Sequence, residues 1–188
     1  MSNLLDLAVM LHPDDDLMAQ ALMARLAGRL GYLAVHVPAA PGTHPQAETV
    51  ETLIEAADPA MLIVDDGAIT EGIVRRNDPD LVRAARVALD AHEDHRPLIV
   101  AVPISIGRTL NEAMARADRD PRFVGDAHPS ASGIYGTFEQ AQEQVLTLAR
   151  AGAEVLLVTV PHELDVADIL AQVKALVVGA TPALFERE

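Results

Sequence analysis

The sequence predicts an α/β protein built on a mainly parallel sheet, and three observations carry that expectation. Short β-type runs alternate with amphipathic stretches of helical period along the chain. The central runs, such as Ile99–Val102, are continuously apolar, as strands covered on both faces require. Capping or turn residues stand at most of the junctions between them. Repeated β-then-α order implies helices laid over a parallel sheet. Two architectures satisfy it: an open doubly wound sheet, and a full or shortened (β/α) TIM-type barrel. Periodicity alone does not separate them.

The elements follow in order. Leu4–Leu11 reads as a strand closed by His12-Pro13-Asp14. Asp15–Arg29 carries Leu17, Met18, Ala21, Leu22, Met23 and Leu26 at helical spacing, with Gly31 as its stop signal. Leu33–Val37 is a second strand, ended by Pro38 and the turn-rich Pro41-Gly42-Thr43. Gln46–Ala57 is helical, with Val50, Leu53, Ile54 and Ala57 on one face. Met61–Val64 is a third strand running into the turn Asp65-Asp66-Gly67, and Asp80–Ala91 is helical. Leu98–Ile104 is the longest buried-type strand, and Thr109-x-x-Glu112 is a capping box opening the next helix. Asp118–Tyr135 shows no clear period. Thr137-x-x-Gln140 is a second capping box, opening a helix that ends at Gly152. Glu154–Val160 is a strand and Asp165–Val177 the last helix. Five strands are expected, in a single domain over 1–188, without repeats or a linker.

Composition narrows the function. Half of the 188 residues are apolar, and only 3% are aromatic, so the core is aliphatic. A net charge of −14 argues against nucleic-acid partners and anionic membranes, which need a basic footprint. The longest apolar runs fall far short of the ~20 residues that span a bilayer. Met-Ser-Asn-Leu-Leu-Asp lacks the basic start of a signal peptide, so a cytoplasmic protein is expected. Without cysteine there is no disulfide, thiolate nucleophile or cysteine-ligated metal. No Gly-x-Ser-x-Gly elbow occurs, and Lys174 is the only lysine, which disfavours hydrolase and Schiff-base chemistry.

In both architectures chemistry gathers beyond the carboxyl ends of the strands. The polar residues there are His12, His36, Asp65 with Asp66, Ser105 with Arg108, and His162. Each ionises or hydrogen-bonds, so together they form a candidate acid–base or cofactor ring. Within it, Ser105-Ile106-Gly107-Arg108-Thr109 joins a buried strand to a capped helix. Amides at a helix start, a glycine and an arginine suit an anion such as phosphate or carboxylate. The spacing matches neither a P-loop nor G-x-G-x-x-G. His92 and His95 close a helix at the opposite end of the strands, where they suit the helix dipole without a metal. His128, in the long irregular segment, is a weaker ligand candidate.

From Arg96 onward the chain resembles the luciferase-like monooxygenase family of flavin- or coenzyme F420-dependent oxidoreductases. The residues that carry this are Pro97–Thr109, Asn111-Glu112-Ala113 and Ala117–Pro121, followed by His128-Pro129, Gly133–Glu139 and Ala149–Glu154. Upstream, Gly31-Tyr32 is similar to the Gly-Tyr before that family's second strand. The resemblance implies a (β/α) barrel, usually a homodimer, with FMN or coenzyme F420 at the strand carboxyl ends and a small-molecule substrate. Taken with the strand-end ring, it makes His36, which is not at the family's matching position, and His12 the catalytic candidates. Asp65, Ser105, Gly107, Arg108 and His162 become cofactor-binding candidates, with no metal.

The chain also departs from the family pattern. The stretch Val35–Ala40 has no acid–His pair, and the family's Gly-rich phosphate segment has no counterpart. Five strands also fall short of the eight that a full barrel builds from ~250 residues. A shortened barrel is therefore expected. An oxidoreductase is the first reading, and a non-catalytic flavin-binding or accessory dimer of the same fold is the alternative.

Overall fold

The computed structural model describes residues 5–38, 45–65, 73–92, 95–120, 132–161 and 165–185. The chain runs β1 (Asp6–Met10), α1 (Leu17–Arg29), β2 (Ala34–Pro38), α2 (Ala47–Ala57), β3 (Met61–Asp65), β4 (Ile73–Val74) and α3 (Pro79–Ala91). It continues through β5 (Ile99–Ile106), α4 (Leu110–Arg119), β6 (Ile134–Gly136), α5 (Phe138–Arg150), β7 (Val155–Thr159) and α6 (Val166–Phe185). The described residues thus form seven strands rather than the expected five. The two additions, β4 and β6, are two and three residues long, too short to show a period in the sequence. The last helix also runs past the expected Val177, to Phe185.

Strand order decides between the two architectures. The strands pair in parallel in the order β3-β2-β1-β7-β5-β4, with β6 on β5. The first strand lies beside both the second and the last, which is the cyclic order of a barrel, here open between β3 and β4. Right-handed crossovers all taken round the ring in one sense lay their helices on one face. Met23 of α1, Leu53 of α2, Val82 of α3, Val145 of α5 and Leu170 of α6 accordingly share one core with Val9, Val35, Val102 and Val158. A doubly wound sheet would divide these helices between both faces. The fold is a shortened (β/α) barrel of TIM type.

The inner face carries smaller residues. Ala8, Ala34, Val155 and Leu157 are buried there, with Met10, Ile63, Ile99 and Ala101 packed against them and partly exposed. Short side chains suit an inner face where strands converge.

One crossover breaks the pattern. The carbonyl of Leu98 accepts from the amides of Glu154 and Val155, so the even-numbered main-chain groups of β5 face β7. The Gly107 amide donates to the Gly136 carbonyl at 2.9 Å, so β6 lies along the opposite edge, beyond β4. Pro103 falls in the gap between the pairs Val74↔Val100 and Ile104↔Ile134, where its missing N–H leaves no ladder bond unmade. The step from β5 to β6 therefore runs outward, against the sense of the others. The same handedness rule then places α4 on the inner side. Tyr135 packs against Ala113, Met114 and Ala117 of α4, while Ile134 faces the main core.

Local signals act as the residue types require. Asp16 caps α1 by accepting from the Ala19 amide at 2.8 Å. Gly31, at φ +73°, ends the helix, with the Tyr32 amide on the Ala27 carbonyl and the Gly31 amide on that of Gly28. The Thr137–Gln140 capping box is complete. The Thr109–Glu112 box is displaced. Thr109 accepts from the Glu112 amide at 3.2 Å, but Glu112 reaches back to the amide of Arg108, not of Thr109, at 3.0 Å.

Candidate functional site

Register gathers the inner-face side chains into layers. His36 shares its level with Met10 on β1 and Ile63 on β3. On the other side of the ring, Pro103 is level with Thr159. One layer nearer the carboxyl ends, Ser105 is level with Tyr135, and Pro38 with Asp65. His36 is 3% exposed and Ser105 fully buried. The Ser105 hydroxyl has no hydrogen-bond partner among the described residues. A buried hydroxyl without a partner costs about 1–3 kcal/mol. Strands β1 and β7 separate the two residues. Three steps of ~4.8 Å across the sheet and one two-residue layer of about 7 Å along it put them about 16 Å apart, less whatever the curvature removes.

The other expected residues divide. His12 lies in the turn after β1. Its Nδ1 accepts from the Asp14 amide at 3.3 Å, and its carbonyl accepts from the Gln20 side chain at 2.9 Å. Both bonds hold the β1–α1 turn in shape. Asp65 ends β3 opposite Pro38, at an inner-face register position. Its side chain, with Asp66, His128 and His162, lies outside the described residues. Gly107 serves packing: a Cβ there would stand 2.8 Å from the Ala113 nitrogen and 3.0 Å from the Thr109 carbonyl oxygen. Arg108 is exposed, and the charged head of its side chain makes no ion pair among the described residues.

The expected anion cradle at the start of α4 is already furnished. The carboxylate of Glu112 occupies the Arg108 amide, and the Thr109 hydroxyl occupies the Glu112 amide. At the start of α5, the carboxyl of Glu139 is held below its ordinary pKa by its own amide and then by the Thr137 hydroxyl. An incoming anion therefore meets acceptors at both helix starts, with Arg108 as the exposed cation beside them.

Sequence reasoning missed three polar positions. Arg116 donates from Nη1 to the Ile106 carbonyl at 2.6 Å and from Nη2 to Glu112 at 3.3 Å, the latter an i, i+4 pair visible in the sequence. With Ile106, Gly107, Arg108, Glu112 and Phe138 it lines a cleft of about 370 Å³. Asn77 and Gln144 form a second set, bonded to each other at 2.7 Å. Asn77 donates to the Gly133 carbonyl at 3.0 Å and Gln144 to that of Tyr135 at 3.0 Å. Two side-chain amides thus stand where a neighbouring strand would bond the free edge of β6. Neither carries a motif, since they are 67 residues apart. At the other end of the sheet, Glu154 accepts from Arg86 at 2.6 Å and from the Leu98 amide at 3.0 Å, a structural tie far from the ring.

Fold and layers define an α/β chain of TIM-barrel type with His36 and Ser105 buried on its inner face near the strand carboxyl ends. No protein-family model matches it, and no curated protein does. Among solved structures, it is similar to the coenzyme F420-dependent tetrahydromethanopterin reductase from Methanopyrus kandleri. The TM-score is 0.61 at 11% identity, over 93% of this chain and 99% of that one. That likeness is one of fold. A weaker one, TM-score 0.42 at 13% identity over 92% of each chain, is to (S)-3-O-geranylgeranylglyceryl phosphate synthase from Thermoplasma acidophilum.

Proposed function

We propose that this chain is a small oxidoreductase of the luciferase-like class that binds coenzyme F420, with FMN as the alternative cofactor, on the inner face at the carboxyl ends of its strands. The observation that carries the reading is the Ser105 hydroxyl, fully buried and without a partner among the described residues, on the same face as His36. The likeness in fold to an F420-dependent reductase supports taking F420 as the first cofactor to test and FMN as the second.

The residues present suit a flat ring system. Ala34 and Leu157, buried in the inner-face cluster, and the partly exposed Ala101 make the middle of that face apolar. His36 and Ser105 stand towards its two sides as hydrogen-bonding groups for the polar edges of a ring. Arg108, exposed beside the β5 carboxyl end, pairs with an anionic side arm. When bound, such a cofactor supplies hydride transfer to or from a small-molecule substrate, while the chain orients the ring and excludes water. His36 holds or moves a proton at an imidazole nitrogen next to the ring. The stretch Val35–Ala40 gives it no acidic neighbour in sequence, which favours as second reading a chain that binds the cofactor without turnover.

The test is a fluorescence titration of the purified protein with F420 and, separately, with FMN. Saturable quenching by either supports binding. Quenching by neither contradicts it. Arg108→Ala should weaken the observed affinity by about 1–3 kcal/mol, roughly 5- to 150-fold. An assay with reduced cofactor and candidate acceptors then separates turnover from binding alone.

A further inference from the structure

Beyond the free edge of β6, between α5 and the start of α3, lies a cleft of about 540 Å³, within the roughly 300–1,000 Å³ of small-molecule sites. Gln140, Glu143, Gln144 and Thr147 line it at helical spacing along α5, while Ala141, Val145 and Leu148 of the same helix enter the core. Asn77 joins them from the loop before α3. The hydrogen bonds already made decide what this wall has left to offer. Both hydrogens of the Asn77 amide are spent, on the Gly133 carbonyl at 3.0 Å and on Gln144 Oε1 at 2.7 Å. Both hydrogens of the Gln144 amide are spent on the carbonyls of Tyr135 and Gln140, at 3.0 and 3.2 Å. Those main-chain carbonyls also fix which end of each amide is nitrogen, because a flipped amide would set oxygen against oxygen. The Thr147 hydroxyl gives its hydrogen to the Glu143 carbonyl at 2.8 Å.

The groups left unspent are acceptors: Asn77 Oδ1, the lone pairs of the Thr147 hydroxyl and the carboxylate of Glu143. Among the described residues, Asn77 Oδ1 has no partner and the exposed Glu143 makes no ion pair. Gln140 alone keeps a donor group, since its Oε1 receives the Thr137 amide at 3.0 Å. No lysine or arginine is among the described lining residues; Arg75 and Arg76, near Asn77 in sequence, are exposed and outside the wall. The amides that open α3 are answered by the Asp78 carboxylate, at 3.0 and 3.3 Å.

The geometry points to a binding site for a short aliphatic amine or guanidine. An ammonium and a guanidinium carry only donors, so each complements a wall of acceptors with one negative charge. Pro79 and Leu110, the latter 43% exposed, receive the aliphatic stem. A phosphate or carboxylate finds acceptors and no cation. A neutral diol gains nothing from the charge of Glu143. Nothing in the site depends on the cofactor.

Proton–nitrogen correlation spectra of the full chain, titrated with agmatine, test this, with succinate and butanediol as parallel arms. Agmatine should shift the side-chain amide signals of Asn77, Gln140 and Gln144 saturably, and the other two compounds should not. Glu143→Gln should weaken agmatine binding about two- to fivefold, the range of an exposed charge contact, and Glu143→Lys should abolish it. The Glu143 side chain has no partner among the described residues, so both variants should keep the wild-type Tm. The absence of saturable shifts with agmatine overturns the inference. So do shifts that spread over the acidic surface and spare these three amides, or succinate or butanediol binding as tightly. Agmatine affinity unchanged in both Glu143 variants overturns it as well.

Discussion

Ser105 and His36 extend from the same inner face, at the carboxyl ends of β5 and β2, with β7 and β1 between them. The Ser105 hydroxyl is held in a buried position without a partner among the described residues. Folding alone gains nothing from that arrangement. Ser105→Ala should therefore raise stability by about 1 kcal/mol, a gain of ~2–4 °C in Tm, while weakening cofactor binding. Calorimetry and the titration on one preparation check both halves. A lower Tm would show that the hydroxyl is satisfied in the folded protein.

Gly107 makes the opposite kind of prediction. A methyl group there would press on the main chain of Ala113 and Thr109, neither of which can yield without moving α4. Gly107→Ala is expected to cost about 1–3 kcal/mol. Chemical denaturation should show an earlier midpoint with an unchanged slope.

The paired amides on the β6 edge should behave as a unit. Asn77→Ala or Gln144→Ala frees a carbonyl of Gly133 or Tyr135 and also removes the 2.7 Å bond between the two side chains. Each is expected to cost about 1–2 kcal/mol, with a coupling of 0.5 kcal/mol or more in a double-mutant cycle. Strict additivity would show that the two amides act independently.

Tyr32 predicts an alkaline limit. Burial pushes its phenol well above the ordinary value of 10.0, and its hydroxyl donates to the Leu170 carbonyl at 2.9 Å. Because the folded-state pKa is raised, this contribution is fully present below pH ~10 and is lost as pH climbs towards the folded-state value. Tyr32→Phe should flatten the fall of Tm above pH ~10 and cost about 0.5–1.5 kcal/mol at neutral pH. A parallel fall in both proteins would assign the alkaline limit to another group.

Much of this fold was legible in the sequence. Apolar runs at Leu98–Ile104 and Glu154–Val160 and the apolar stripe of Gln46–Ala57 mark elements that bury a face, and such elements leave a period. Strands Ile73–Val74 and Ile134–Gly136 leave none, because two or three residues cannot display alternation. The cyclic strand order was equally hidden, being a property of which strands meet rather than of any run. In the candidate site, strand-end logic found His36 and Ser105 on the inner face. It also selected Gly107, whose place is set by packing against Ala113, and His12, which holds a turn. Asn77 and Gln144 carry no local signal, since only the outward turn of β6 brings them together.

The inner face is the proposed seat of the cofactor. Ala101 lies partly exposed in the middle of that face, so Ala101→Trp fills it without entering the main core. The most direct measurement is the F420 titration of wild type and Ala101→Trp side by side, with Tm as the control for folding. Saturable quenching by the wild type, abolished in a variant of similar Tm, is the result this account predicts. Equal quenching in both proteins, or none in the wild type with either F420 or FMN, would contradict it.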